Sequence, residues 1–397
     1  MEVYITDALR TPIGKYNGTL AHTRPDDLAA LTLKALTNRN PTIDPSSYEE
    51  VILGAANQSG EDNRNVARMA LLLAGLPVSV GGTTVNRLCA SGLQALADAT
   101  RAIKNGDGNV YIAGGVENMT RAPFVMPKSE EPFARNPQIF DTTMGWRFIN
   151  KKLSERYHPY SMGETAENVA EKYQISRDRQ DQFAYHSQQK YQQAHQKGIF
   201  KEEIIPLTLQ KGKNSFVFDT DEHPRPSTID QLAALKPAFK PNGTVTAGNA
   251  SGINDGASAL ILVSETTLKT LNMKPLARIV SIAVAGVEPA LMGIGPVPAT
   301  QKALQRAGLT INDLDLVELN EAFASQSIAC MELLDLNPEI VNVNGGAIAL
   351  GHPLGCSGAR ITTTLLYELH RRPSARFGLA AMCIGVGQGM AIVYEKC

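Results

Sequence analysis

The run Gly82-Thr83-Thr84-Val85-Asn86-Arg87-Leu88-Cys89-Ala90-Ser91-Gly92-Leu93-Gln94-Ala95-Leu96-Ala97-Asp98-Ala99 joins two kinds of structure. Residues 82–85 are β-prone, and from Leu93 onward the apolar spacing and alanine content suit a buried helix. Cys89 therefore falls at a strand-to-helix turn. Unpaired backbone N–H groups and the positive end of the helix dipole stabilise an anion at such a terminus, so the sequence predicts a lowered thiol pKa and a reactive thiolate. A small buried cysteine filling a helix–sheet contact has the same local sequence. The far end of the chain separates the two readings.

There, Asn344-Gly345-Gly346-Ala347-Ile348-Ala349-Leu350-Gly351-His352-Pro353-Leu354-Gly355-Cys356-Ser357-Gly358 sets one histidine in glycine-rich backbone, which can approach a ligand closely. Met382-Cys383-Ile384-Gly385-Val386-Gly387-Gln388-Gly389 follows, a second cysteine opening a glycine-rich turn between two apolar strands. Between them and Cys89 lies Glu318-Leu319-Asn320-Glu321-Ala322-Phe323-Ala324, with polar residues at a strand end. Two thiols, an imidazole and an amide at such positions can perform nucleophilic and proton-transfer chemistry, which points to an enzyme.

Composition narrows the class. The chain has 397 residues, 43% of them hydrophobic, room for two or three domains with substantial cores. Its net charge of −1 gives no basic footprint for nucleic acid or an acidic membrane. No apolar run is long enough to span a bilayer, and the start has neither the basic nor the long apolar segment of a secretory signal, so a cytoplasmic location is expected. The five cysteines contain no Cys-x-x-Cys pair, and His186 and His195 share no ligand spacing; neither a disulfide framework nor a metal site is expected.

Taken in order, strand and helix signals alternate through residues 2–8, 26–36, 50–55, 63–74, 82–99 and 109–113, which predicts a mostly parallel, covered sheet. From about 121 to 246 the texture changes to dense proline, charge and amide, an inserted segment. It holds a helix over 164–173 and a second over 177–197, rich in Gln and His and read as a solvated surface element. After a returning strand at 257–264 the opening pattern starts again: 277–285 mirrors the first strand, 300–308 the first helix, 315–319 the next strand, 340–343 the strand before Cys89, and 376–381 the strand at 109. The chain is a diverged duplication in which the Cys89 loop corresponds to the His352 loop. Packing the halves together brings both loops to one mouth, where open α/β sheets collect ligands.

Cys89 in Asn-Arg-Leu-Cys-Ala-Ser-Gly, Asn320 in Asn-Glu-Ala-Phe-Ala, His352 in Gly-His-Pro-Leu-Gly-Cys-Ser-Gly and Cys383 in Cys-Ile-Gly-Val-Gly-Gln-Gly together resemble the thiolase family, over essentially the whole chain. The resemblance implies an α/β thiolase fold: duplicated βαβ-type halves in a five-layered α-β-α-β-α core, with an inserted loop domain. The expected division is 1–120 with 247–272, a loop domain at 121–246 covering CoA, and 273–397. It implies an acyltransferase that cleaves a 3-oxoacyl-CoA with CoA, or runs the reverse condensation, through an acyl-cysteine. CoA thioesters are then substrates, with no permanently bound cofactor, and the protein is expected to be a homodimer or homotetramer.

Within that resemblance, Cys89 is the nucleophile and His352 takes its proton and helps polarise a thioester oxygen. Cys383 exchanges a proton with the α-carbon of acetyl-CoA. Asn320 holds a water that completes one oxyanion hole with His352, and the backbone N–H groups of Cys89 and Gly385 form the second. Met162, Arg225, Phe239, Ala247, Ser251 and Phe323 resemble CoA-contacting positions, while Ser161 departs from the histidine that short-chain biosynthetic members place before this Met-Gly. Cys356 is read as packing, and Cys330 and Cys397 have no role.

The runs at 60–68, 140–148 and 287–293 look most like the thiolases that act on 3-oxoadipyl-CoA, which makes a cation for the distal carboxylate expected, with Arg64, Arg68 and Arg147 as candidates. The alternatives are an acetoacetyl-CoA or broad 3-ketoacyl-CoA thiolase, a condensing enzyme of the ketoacyl-synthase type, and a non-catalytic CoA- or lipid-binding relative.

Overall fold

Nine strands form the path of one continuous sheet: β1 (Val3–Arg10), β2 (Glu50–Gly54), β3 (Gly81–Val85), β4 (Val110–Asn118), β5 (Asn254–Ser264), β6 (Ala277–Gly286), β7 (Leu316–Leu319), β8 (Phe377–Ile384) and β9 (Gln388–Lys396). The two-residue Gly14–Lys15 pairs with the start of β5 off this path. The computed structural model describes residues 1–397, the Lys211 side chain apart. The spatial order is β7-β8-β9-β6-β1-β5-β4-β2-β3. The two halves meet where β1 and β6 pair antiparallel through only two residue pairs, Tyr4 with Arg278 and Ile5 with Ala277.

The expected mostly parallel sheet is corrected. Only β2–β3, β2–β4 and β7–β8 run parallel; β4–β5, β5–β1, β6–β9 and β8–β9 are antiparallel. β5 returns beside β4 after the long insertion, and β9 returns from β8 across a tight turn, so neither needs the helical crossover that enforces parallel pairing.

Helices α1 (Pro25–Arg39) and α2 (Val66–Leu73) cover one outer face, while α6 (Pro296–Ala307) and α7 (Ala324–Leu333) cover the other. Between the halves lie α3 (Ser91–Asn105) and α8 (Leu354–Arg371), whose residues share a core with both parts of the sheet. This is the five-layered arrangement. The two central helices touch backbone to backbone: a Cβ on Gly92 would lie 2.6 Å from Ala359 N, and one on Gly358 2.3 Å from Leu93 N. The glycines at these helix starts allow the loops carrying Cys89 and His352 to lie side by side.

The strand expected at 340–343 does not form. The segment makes one parallel bridge, Val341 with Val317, after a turn at Pro338–Ile340. Asn342, in left-handed backbone (φ 44°), substitutes its side chain for the ladder, accepting from Leu319 N at 2.9 Å and donating to Leu319 O at 2.8 Å.

The insertion carries α4 (Met162–Lys172) and α5 (Arg177–Gln196). α5 is not the solvated element expected: Gln180, Asp181, Ser187 and Gln188 are buried and hydrogen-bonded, Asp181 to Asn249 (2.9 Å) and Ser187 to Glu321 (2.7 Å). Its polar face turns inward because most of these groups find a partner there, Gln180 Oε1 being left without one among the described residues. The Asp219–Ser227 loop is pinned by Asp221, which takes two bonds from the buried Arg10 guanidinium (2.7 and 3.0 Å). Arg10 also holds the buried Glu203 at 2.7 Å.

Candidate active site

The Cys89 loop is shaped by its own side chains. Leu88 sits at φ 48° and its N–H donates to Asn86 Oδ1 (2.8 Å), while Ser91 Oγ accepts from Arg87 N and donates to Leu88 O. Arg87 then reaches across the halves, bonding Gln94 Oε1 at 2.6 Å and Gln388 Oε1 at 3.0 Å. It therefore ties the loop to the turn at 385–387, a role that the sequence pattern does not reveal although Arg87 stands in the motif.

Cys89 is partly accessible and precedes Ala90, the N-cap of α3. Its thiol does not have the lowered pKa expected. Burial pushes it up to about 11; the N–H groups of Gly385 and of Cys89 itself face the sulfur and oppose the rise without overcoming it. Those two amides are nevertheless the pair singled out from sequence, brought to one atom.

Cys383 lies at the end of β8, buried, with its thiol pushed well up by burial and by Cys89 nearby. Asn320 follows β7 and is held to the same strand as Cys383 by Asn320 N donating to Ala381 O (2.9 Å). Its Nδ2 lies 3.5 Å from His352 Nε2, at the limit of hydrogen-bond reach, and its buried Oδ1 has no partner among the described residues.

His352 follows Gly351, whose φ of 99° already disfavours other residues and whose Cβ, if it had one, would stand 2.5 Å from Asn254 Cγ. Asn254 Oδ1 accepts from His352 N (3.0 Å) and Ser357 Oγ lies 2.6 Å from His352 Nδ1. Burial, with Arg360 adding to it, pulls the imidazole down to about 3, so it is neutral across the physiological range.

Glu321, beside Asn320, is a further residue whose role the sequence does not reveal. Its buried carboxylate accepts from Ser187 Oγ (2.7 Å), Asn342 Nδ2 (2.9 Å) and Ile348 N (3.1 Å), and so fastens α5 and the segment before His352 to the Asn320 turn.

Of the expected CoA-contacting positions, Met162, Phe239 and Phe323 join one apolar cluster with Cys383. Phe239 and Phe323 meet edge to face at 6.3 Å, and Met162 Sδ comes within 3.6 Å of where a Gly385 Cβ would stand. Ser251 N donates to Ala322 O (3.0 Å), which places it against the same turn. Arg225 and Ala247 are exposed and bonded to each other, Nη2 to carbonyl at 3.1 Å, an edge apart from that cluster. Ser161 caps α4 in a reciprocal pair with Glu164.

Of the candidate carboxylate readers, Arg68 is engaged by the carbonyls of Val78 (3.0 Å) and Val80, Arg64 is exposed in a left-handed turn, and Arg147 is half-buried. Cys330 and Cys356 are buried in the core, and Cys397 is exposed.

The chain is similar to known proteins over its whole length. Residues 3–266 match the thiolase N-terminal domain and residues 273–396 the thiolase C-terminal domain. The chain is 57% identical over 400 residues to the 3-oxoadipyl-CoA/3-oxo-5,6-dehydrosuberyl-CoA thiolase of Escherichia coli K12, covering 100% of this chain and 99% of that protein. It is 55% identical over 398 residues to the beta-ketoadipyl-CoA thiolase of Pseudomonas aeruginosa, with the same coverage. The crystal structure of the Bacillus anthracis acetyl-CoA acetyltransferase superposes with a TM-score of 0.94 at 43% identity, covering 100% of this chain and 99% of that one. With the fold, the duplicated halves and the domain matches in agreement, the chain belongs to the thiolase family of acyltransferases.

Proposed function

We propose that this thiolase cleaves 3-oxoadipyl-CoA with CoA to succinyl-CoA and acetyl-CoA, through an acyl group carried on Cys89. The observation that carries the substrate is the full-length similarity to two thiolases named for that compound, closer than to the acetyl-CoA acetyltransferase of known structure. Neutral His352 takes the Cys89 proton as sulfur attacks the substrate's ketone carbon; scission of the Cα–Cβ bond leaves acyl-Cys89 and an acetyl-CoA carbanion, which Cys383 protonates. CoA then accepts the acyl group from sulfur. The amides of Cys89 and Gly385 stabilise one oxyanion, and the Asn320–His352 pair, through a water, the other.

Support for these roles is the neutral imidazole, the two amides facing Cys89, and the proximity of Cys89 and Cys383. Met162 and Phe239 of the 121–246 insertion would line the CoA-binding face together with Ser251 and Phe323, with Arg225 and Ala247 at its outer edge. The remaining division of the chain is 1–120 with 247–272 and 273–397.

A homodimer or homotetramer is part of the same reading. It is supported by the exposed side chains of Phe124, Met126, Phe133, Ile139 and Phe148 on the insertion and by β3, whose outer edge is unpaired in the sheet. A cytoplasmic setting suits a mechanism that depends on two reduced thiols. Among the described residues, no helix is long and apolar enough to cross a membrane. Initial rates across a panel of 3-oxoacyl-CoA substrates with free CoA test the proposal: 3-oxoadipyl-CoA should have the highest kcat/KM, and a preference for acetoacetyl-CoA would replace it with the short-chain reading.

A further inference from the structure

One buried carboxylate outside the sequence motifs connects the two loops of the site. Glu117, near the end of β4, is 2% exposed. Its Oε2 accepts from Ala56 N at 2.9 Å and Gly355 N at 2.8 Å, and its Oε1 from Asn57 N at 3.1 Å. Among the described residues no Lys or Arg forms an ion pair with it. A buried carboxylate without a cation is costly, so the three charge-assisted amide bonds are what make the position tolerable.

Those amides belong to different halves of the site. Ala56 O accepts from Asn86 Nδ2 (2.9 Å), and Asn86 Oδ1 in turn accepts from Leu88 N (2.8 Å), one residue before Cys89. Gly355 lies in the first turn of α8, where Pro353 O receives Cys356 N and Ser357 N, and Ser357 Oγ meets His352 Nδ1. The strand and helix touch at the backbone beside it: a Cβ on Gly115 would stand 1.9 Å from Gly355 O.

We propose that Glu117 is a positioning residue whose carboxylate holds the Cys89 loop and the His352 loop in register across the two halves. The proposal rests on the reading of Cys89 as nucleophile and His352 as its base. Gln at this position keeps the shape and one acceptor: with its oxygen in the place of Oε2 it sets an NH2 against Asn57 N, and with the amide turned over it sets the NH2 against Ala56 N and Gly355 N, so either way a donor faces a donor and the hold on the 56–57 segment loosens. It also removes a charge. The titratable groups facing Glu117 are Asp62 on the segment after β2, Cys89 on the turn after β3, and Cys356 on α8. Burial pushes the Glu117 carboxyl up to about 7, so the charge is present in the alkaline range where thiol alkylation is followed.

The test uses the full chain with Glu117→Gln and Glu117→Asp. Three quantities are read: kcat and KM for CoA in thiolysis, the melting temperature, and the pH dependence of Cys89 alkylation by iodoacetamide, mapped by peptide mass. Glu117→Gln should lose roughly tenfold or more in kcat with KM for CoA within about twofold, and its alkylation midpoint should move to lower pH. Glu117→Asp, which keeps the charge with a shorter reach, should lose kcat and leave the midpoint in place. Unchanged kcat in Glu117→Gln, or a kcat loss with an unmoved midpoint, overturns the proposal. If Glu117→Gln does not fold, wild-type kcat in Glu117→Asp overturns it. Acylation of Cys89 in the unmodified enzyme, scored in the same preparation, keeps the two questions apart: its absence defeats the reading of the site, while its presence beside a wild-type-like Glu117→Gln defeats only the clamp.

Discussion

His352 Nδ1 lies 2.6 Å from Ser357 Oγ, and the same hydroxyl lies 2.8 Å from the Pro353 carbonyl. A hydroxyl has one proton and a carbonyl can only accept, so Ser357 donates to Pro353 and receives the Nδ1 proton of His352. The lone pair is left on Nε2, the nitrogen that faces Asn320. Ser357→Ala leaves Nδ1–H without its acceptor and frees the other tautomer. The expected result is a fall in kcat of roughly tenfold, the size of one lost buried hydrogen bond, with KM for CoA little changed. Steady-state kinetics in both directions check it; an unaltered kcat would show that Ser357 does not set the tautomer.

Cys89 has a raised rather than a lowered pKa, and this changes what its pH profile should look like. A thiol pushed up to about 11 gains thiolate steadily as pH rises, so alkylation of the free enzyme should still be climbing above about pH 9. A plateau below about pH 8 would mean a stabilised resting thiolate instead. Under turnover, acid-quenched enzyme should carry its acyl mass on Cys89, and Cys89→Ala should lose activity on the order of a thousandfold or more.

The loops are legible in the sequence because reactive side chains bracketed by glycine at strand ends have few structural reasons to be there. Cys89, Asn320, His352 and Cys383 all have this signature, and the duplication places their loops together. Glu117 and Glu321 cannot be read this way: each stands next to an asparagine at a strand end, and nothing in that local pattern shows that its partners are backbone amides and side chains far away in the chain. The direction of the Cys89 shift is hidden because helix-end electrostatics is local and readable, whereas desolvation depends on packing from the other half of the chain. α5 is opaque for a related reason: a polar helix face has the same composition whether water or Asn249 and Glu321 are its partners. Asn342 conceals the loss of a strand by supplying ladder bonds from its side chain.

Cys383 is buried beside Cys89 with its thiol pushed well up, a state suited to donating a proton to a carbanion. Cys383→Ala should therefore retain acylation of Cys89 by acetyl-CoA while solvent exchange at the α-carbon of acetyl-CoA falls by roughly a hundredfold or more. Deuterium incorporation followed by NMR decides it, and undiminished exchange would assign the carbon acid–base role elsewhere.

Glu318 sits 3.7 Å from Arg360 in the core, and none of the guanidinium nitrogens has a hydrogen-bond partner among the described residues. Burial pushes the Glu318 carboxyl from 4.5 up to about 8, against the pull of Arg360. The folded state therefore keeps a proton that the unfolded chain has lost. The stability this contributes is complete below about pH 4.5 and disappears as pH rises through about 8. Glu318→Gln cannot ionise, so its melting temperature relative to the unmodified protein should be more favourable at about pH 9 than at about pH 6. A difference independent of pH would show that Glu318 is ionised in the folded state throughout.

Selection of a substrate that ends in a carboxylate needs a donor at the far end of the acyl pocket, since an unpaired buried carboxylate costs several kcal/mol. Arg68 is poorly placed for that duty, with its guanidinium on the carbonyls of Val78 and Val80, and Arg64 points from an exposed turn. Arg147 is half-buried and forms no ion pair or hydrogen bond among the described residues through its side chain. Its neighbour Trp146 is anchored by Nε1 donating to Tyr160 O at 3.0 Å, two residues before Met162, which packs at the Gly385 turn. Arg147→Ala should reduce kcat/KM for 3-oxoadipyl-CoA by roughly 10- to 100-fold, about 1.5–3 kcal/mol for a charged hydrogen bond, while acetoacetyl-CoA changes by less than about threefold. Arg147→Lys should recover part of the loss, because a point charge replaces the charge but not the bidentate fork. Equal losses on both substrates would make Arg147 structural. An unmodified enzyme that already prefers acetoacetyl-CoA would instead remove the need for any carboxylate reader, while leaving acylation of Cys89 to stand on its own test.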